Sequence, residues 1–237
     1  MTRIQRKNEA RIVAAALDVF AANGFRGTTV DAIAVNAGMS KANVLYYFGT
    51  KQDIYDAVLT RTLTVWLDPL KRLERDGDPL EQIWRYAEAK LALSRSAPQA
   101  SRLFAGEMLR GAPRLTHYLA HDLKRTVDEA CSILQAWVDT GRLAPVEPLN
   151  LIFLIWSSTQ HYADFEPQVR ALQPDAARVM DGARRTLRRV LMAGLTPDAG
   201  TDAGTDAPPD AAPDPVPGAI PLPHLDPIAG GTAGGAR

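Results

Sequence analysis

The chain has 237 residues, 46% hydrophobic and 23% charged, the balance of an ordinary soluble globular protein with enough length for a sizeable core. Its 27 basic and 27 acidic side chains cancel overall, yet residues 1–51 hold seven Lys/Arg against three Asp/Glu, residues 52–195 nineteen against eighteen, and residues 196–237 one against six. The lone Cys131 excludes an internal disulfide or a multi-cysteine zinc site, and no apolar run approaches the roughly 18 residues of a membrane span.

The N-terminal MTRIQRKNEA is basic and polar with no apolar leader after it, so a cytoplasmic location without membrane contact is expected. A first helix is expected over 7–23, with Ile12, Ala15, Ala16, Val19 and Phe20 as its apolar stripe and Gly24 as its end. A short second helix starts after Thr28, where Asp31 completes a capping-box-like pair, and carries Val30, Ile33, Ala34 and Ala37 inward. After the turn Gly38-Met39, Ser40 caps a third helix over 41–47. Thr50 and Asp53 then open a long fourth helix, expected to run to Arg75.

Beyond the break Asp76-Gly77-Asp78-Pro79, helices are expected at 80–96, 98–109, 114–140, 148–165 and 175–194. Pro98, Pro113, Pro148 and Pro174 stand at or near their N-termini, where a missing N–H costs little. No sustained period-two pattern suggests strands. The fold class is therefore all-α with about nine helices. Residues 1–50 form a three-helix helix-turn-helix domain, and 51–195 a larger helical bundle, whose ligand-binding and dimerisation roles are what a family resemblance implies. From Thr196 the chain has nine prolines, seven glycines and no aromatic residue, a composition that cannot offset the entropy of ordering. Residues 196–237 read as a disordered acidic tail, either a plain spacer or a weak competitor with DNA for the basic head.

Ala37-Gly38-Met39-Ser40 is the tight turn of a helix-turn-helix, and KANVLYYF its recognition helix, the element that enters the major groove of double-stranded DNA. Lys41 and Lys51 suit phosphates, Thr28 and Ser40 can donate to them, and Asn43 can read a base edge. Tyr46 and Tyr47 offer hydroxyls and ring faces, Thr29 and Ala42 complete the candidate DNA-facing set, and Val44 and Phe48 should anchor the helix. The competing reading makes the aromatic run a small core.

The stretch from Gly24 to Leu59 decides between these readings. Gly24-Phe25, Gly27-Thr28-Thr29-Val30, Ile33-Ala34, Ala37-Gly38-Met39-Ser40, Tyr46-Tyr47-Phe48 and Lys51, in that order, resemble the head of the TetR family of bacterial repressors. The family often has Gly where Ala42 stands, Tyr where Leu45 stands and His where Tyr47 stands. A tyrosine can make the phosphate contact of the histidine, whereas Leu45 supplies no hydroxyl. Four stretches of the bundle, 64–73, 95–113, 136–148 and 151–169, resemble the pyrimidine-utilisation branch of the same family. The resemblance runs from about Ala14 to Val169. It implies a homodimer on a palindromic operator, uracil or thymine as effector, pyrimidine-catabolism genes as targets, and neither cofactor nor enzymatic activity.

The residues of the bundle are compatible with this. In the helix 148–165, Leu149, Ile152, Phe153, Trp156, Gln160 and Ala163 share one face, while Leu151, Leu154, Ile155, Ser158, Tyr162 and Phe165 share the other. A helix apolar on both faces is sandwiched, and a partner subunit is the simplest second layer, with the stripe Met180, Ala183, Leu187, Val190, Leu191 completing the seam. A buried amide must be hydrogen-bonded. Gln160 would match the edge of a flat pyrimidine, with Trp156 or Trp66 stacked on its face, or would satisfy backbone groups or a dimer contact instead. The expected cavity lies between the long fourth helix (Trp66, Leu70), the segment Leu103, Phe104 to Met108, and the pair Trp156 and Gln160.

Other features carry less. His117 and His121 have i, i+4 spacing but no third ligand, and so read as solvated histidines. The run Arg184-Arg185 and Arg188-Arg189 reads as a solvated face, and Cys131 as a small core residue. Neither a phosphate loop nor a nucleophile elbow is present. An all-helical pyrimidine-acting enzyme, with Gln160 and His161 catalytic, would have no use for the basic helix-turn-helix.

Overall fold

The computed structural model describes residues 2–197, so the tail expectation lies, from 198 on, outside the described residues. Eleven α-helices, one of them a single turn, and no strand are present among these residues. The first is α1 (Arg3–Gly27), capped by a reciprocal Thr2–Gln5 box and broken at Gly24, whose φ of 66° only glycine adopts without strain. Next come α2 (Val30–Ala37) and α3 (Lys41–Phe48), separated by Gly38 in the left-handed conformation (φ 59°, ψ 41°). Gly38 N–H closes α2 onto Ala34 and Val35 carbonyls, which lets Ser40 start α3 by accepting from Asn43 N–H.

The α4 helix (Lys51–Leu67) starts on the expected Thr50–Asp53 box, but it stops eight residues before Arg75. Pro69 is the reason. It has no N–H to give the preceding turn, and its ring crowds that turn. The chain continues through a single 3₁₀ turn, Leu70–Arg72. Then follow α5 (Pro79–Ser96) and α6 (Pro98–Leu109), each with proline in its first turn. The expected helix over 114–140 is a composite: one turn of α7 (Thr116–Tyr118), a π-turn over Leu119–Leu123, and α8 (Lys124–Asp139). After α9 (Pro148–Asp164), an unexpected helix α10 (Glu166–Leu172) precedes α11 (Ala176–Leu195). It has seven residues, too few for an apolar period to stand out.

Two clusters of buried side chains organise these helices. One joins Ile12, Ala16, Phe20, Ile33 and Val44 of the first three helices to Ile54, Tyr55, Val58, Leu59 and Leu63 of α4, and reaches Leu115. The first half of α4 thus belongs to the core of the head, and packing does not divide at residue 50. The other cluster joins Ile83, Trp84 and Ala87 of α5 to Leu134 and Trp137 of α8, Leu151, Ile152 and Ile155 of α9, and Leu191 and Leu195 of α11. In α9 the buried side combines Ile152 and Ala163 with Leu151 and Ile155, residues that the sequence divides between two faces. Leu149, Phe153 and Leu154 are left exposed on α9, and Val190 on α11. No described helix is long and apolar enough to cross a membrane.

Candidate functional site

The outer face of α3 is open. Lys41, Ala42, Asn43 and Tyr46 are exposed, Tyr46 by 75%, while Val44 is fully buried and holds the helix in place. Asn8 Nδ2 donates to Tyr47 Oη at 2.8 Å, and the Tyr46 and Tyr47 rings meet edge to face at 5.3 Å. Arg11 donates to Gly38 O at 2.9 Å, tying α1 to the turn. Lys41 pairs with Asp31 at 2.8 Å on the surface, a contact that water screens and that a phosphate can displace. Ser40 and Thr29 are exposed N-caps whose hydroxyl oxygens accept from Asn43 and Ala32 N–H. The cap of α2 is therefore Thr29, and not Thr28 as the sequence pattern suggests.

Thr28 and Lys51 face the other way. Thr28 is only 1% exposed, and its hydroxyl donates to Gly24 O at 2.7 Å. Lys51 Nζ donates to Phe25 O at 2.9 Å and Thr28 O at 2.8 Å, and lies 4.6 Å from the centre of the Phe25 ring. Phe25 in turn meets Tyr55, which meets Phe20. This lysine fastens the start of α4 to the end of α1 and to Thr28. Its signal in the sequence, a lysine just after a cap, cannot distinguish this role from a phosphate contact.

On the far half of α4, Trp66 opens onto a narrow cleft of about 40 Å³ lined also by Leu63, Leu67, Lys90, Phe104, Leu123, Trp156 and Gln160. That is far below the volume of a small-molecule site, so a ligand enters only as the lining side chains move apart. Four of the seven expected ligand residues, Trp66, Phe104, Trp156 and Gln160, come together here. The other three do not. Leu70 lies beyond Pro69 and is buried in the cluster formed by α5, α8, α9 and α11, and Leu103 and Met108 pack against the core of the head. Trp156 Nε1 donates to the hydroxyl of buried Tyr86, which fixes the indole plane. Burial moves the Tyr86 hydroxyl well above the ordinary phenol value, so it stays protonated.

Lys90 is the polar residue of the cleft that sequence reasoning missed, beside the apolar Leu63, Leu67 and Leu123. It occupies an apolar position of α5 and is 3% exposed. Its Nζ lies 3.9 Å from the centre of the Trp66 ring. Burial pushes its ammonium down from 10.5 to about 7, partly opposed by the charge of Asp164. Asp164 accepts from Ser101 Oγ, and burial raises its own carboxyl. A lone lysine between apolar neighbours was the available signal, and it was indistinguishable from a solvated residue.

One turn along α6 from Phe104, Glu107 is 3% exposed and accepts from Tyr55 Oη of α4 at 3.1 Å. Its other oxygen, Oε1, has no hydrogen-bond partner among the described residues. Burial, with the Glu107 charge second, raises the Tyr55 hydroxyl to about 12. The α4 and α6 helices are thus pinned together between the head and the cleft. Elsewhere, His117 and His121 stack at 4.1 Å, and no described group of three or more His, Cys, Asp or Glu is placed to hold a metal.

The family model described as "Bacterial regulatory proteins, tetR family" matches residues 12–58, and that described as "YcdC-like protein, C-terminal region" matches 59–198. The HTH-type transcriptional regulator RutR of Escherichia coli K12 is 47% identical over 189 residues, covering 78% of this chain and 89% of its own. RutR of Shigella flexneri matches equally. The chain belongs to the TetR family of transcriptional regulators.

Solved structures agree on the fold. A TetR-like regulator from Rhodococcus sp. RHA1 aligns with a TM-score of 0.56 at 23% identity, over 79% of this chain and 94% of that one. The TetR-family regulator PfmR from Thermus thermophilus aligns at 0.59 and 21%, over 78% and 98%. TetR-family regulators bind operator DNA, act as dimers and bind small effectors. The chain is accordingly a ligand-responsive DNA-binding repressor and not an enzyme.

Proposed function

We propose that this TetR-family repressor acts in the cytoplasm as a homodimer on a palindromic operator of pyrimidine-catabolism genes, and that uracil or thymine is its effector. The observation that carries the reading is the chemistry of the cleft. Two indoles, Trp66 and Trp156, a phenyl ring, an amide and one amine line this narrow cleft, which opens for a ligand as they part. A flat heterocycle with alternating donors and acceptors matches an amide edge between aromatic faces, whereas an acyl chain would leave Gln160 and Lys90 unpaired. The RutR relatives and the resemblance of the bundle support the same ligand class. The exposed Leu149, Phe153 and Leu154 of α9, with Val190 of α11, supply the dimer surface.

On DNA, the α3 face carries the contacts: Lys41, Ser40, Thr29 and Tyr47 to phosphates, Asn43 to a base edge, and Ala42 and Tyr46 against the groove wall. Lys51 and Thr28 act indirectly, by holding the head rigidly on α4. An effector in the cleft displaces Trp66 and Phe104 relative to each other. Because α4 is fastened to the head at Lys51 and to α6 at Tyr55, this tilts the heads and changes their spacing. An effector shifts operator affinity only by its differential affinity for the two states. Titration calorimetry with uracil and thymine is the test. The wild-type dimer should bind both, and Gln160→Ala should bind neither measurably. A wild type that binds a fatty acid and ignores uracil contradicts the assignment.

A further inference from the structure

We propose that Lys90 determines the specificity of the cleft, by donating from its ammonium to a carbonyl oxygen of the effector. This rests on the effector reading above and deepens it. Four observations carry it. The side chain is nine-tenths or more buried, at 3% exposure. It lines the cleft with Trp66, Trp156 and Gln160. Among the described residues its Nζ has no hydrogen bond and no ion pair, and it lies 3.9 Å from the centre of the Trp66 ring. A purely structural amine so placed is a net cost, because burial removes most of the water around a cation and no protein acceptor replaces it.

The surroundings point to an oxygen acceptor. The ammonium has three donors and nothing on the protein to receive them. Asp164 is the acidic group that acts on it. That carboxylate accepts from Ser101 and lies in the field of Arg102 and His161, so it is engaged elsewhere. A ligand carbonyl placed against Nζ and held flat by Trp66 and Trp156 would receive one of these donors, while Gln160 reads a neighbouring amide edge. The site therefore favours a planar ring bearing an exocyclic oxygen and rejects a cationic or oxygen-free ring. Near neutral pH the buried amine is only partly protonated. Acceptance by the carbonyl stabilises the charged form, so binding takes up a proton from solution.

The experiment is titration calorimetry of the full chain with uracil near pH 7, in two buffers of different ionisation enthalpy, beside thermal unfolding, for wild type, Lys90→Met and Lys90→Arg. The expected wild-type result is binding with fractional proton uptake and at least about tenfold preference for uracil over unsubstituted pyrimidine. Lys90→Met should melt at a higher temperature, lose that preference and lose the uptake. Lys90→Arg should retain part of the preference. Wild-type binding without proton uptake, a Lys90→Met protein that binds uracil as wild type does, or one that melts lower than wild type, overturns the role of Lys90 and leaves the uracil reading standing. A wild type that does not bind uracil overturns both.

Discussion

Two lysines near α4 illustrate opposite uses of a protonated amine. Lys51 at its start donates to two carbonyls, at 2.9 and 2.8 Å, and lies against Phe25. Lys90, facing its far half, is more deeply buried and, without a hydrogen bond or ion pair among the described residues, lies over the Trp66 ring. The first environment is complete and specifies one arrangement of head on helix. The second is incomplete until something enters. A rigid joint at one end of α4 and an unsatisfied cleft at the other are what a switch needs, since a cleft event can move the head only if α4 and the head move as one body.

The largest expected effect tests the joint. Lys51→Ala leaves two part-buried carbonyls without this donor and should cost about 3 kcal/mol, read as a lower denaturant midpoint, with operator and random DNA weakened alike. A variant of wild-type stability that merely shows a shallower salt dependence would return Lys51 to the role of phosphate contact. Next comes Tyr55→Phe, which removes the only donor from α4 to buried Glu107. A loss of about 2 kcal/mol is expected, together with weaker coupling between uracil and operator. Unchanged coupling would show that the α4–α6 pin does not transmit.

The amine of the cleft acts with the opposite sign. Its value falls from 10.5 to about 7 on folding, so the unfolded chain binds the proton more tightly between these pH values. Wild-type stability is therefore complete above pH 10.5, is lost as pH falls towards 7, and is level below. Lys90→Met lacks this loss. Its advantage in melting temperature should shrink as pH rises from about 7 to about 10, and an advantage independent of pH would contradict the burial argument. The smallest effect lies on the DNA face. Asn43→Ala should relax base preference by about 1 kcal/mol, measured by competition between operator and random duplex, with stability unchanged. Equal losses on both duplexes would remove its role as a base reader.

The legible parts of the molecule were those with local causes. The caps at Ser40 and Thr50, the glycines that end helices and the prolines that begin them act within a few residues, and so were readable from spacing alone. The end of α4 was equally local, in Pro69, but the apolar stripe running through it masked the break. The face that α9 buries was not readable, because the helix is apolar all round and only its neighbours decide. The site divided in the same way. Trp66, Trp156 and Gln160 converge as the pattern suggested. The inward turn of Lys51 and the burial of Lys90 depend on Phe25, Thr28 and Asp164, from other elements, and nothing in the lysines themselves records that.

The central claim is that the cleft and the DNA face are two ends of one equilibrium, and reciprocity is its most direct test. Operator affinity is measured by fluorescence anisotropy with and without saturating uracil, and uracil affinity by calorimetry with and without saturating operator. The account predicts that each ligand weakens the other by the same factor, within about 5- to 150-fold. Uracil that binds with the same affinity to free and operator-bound protein would contradict it.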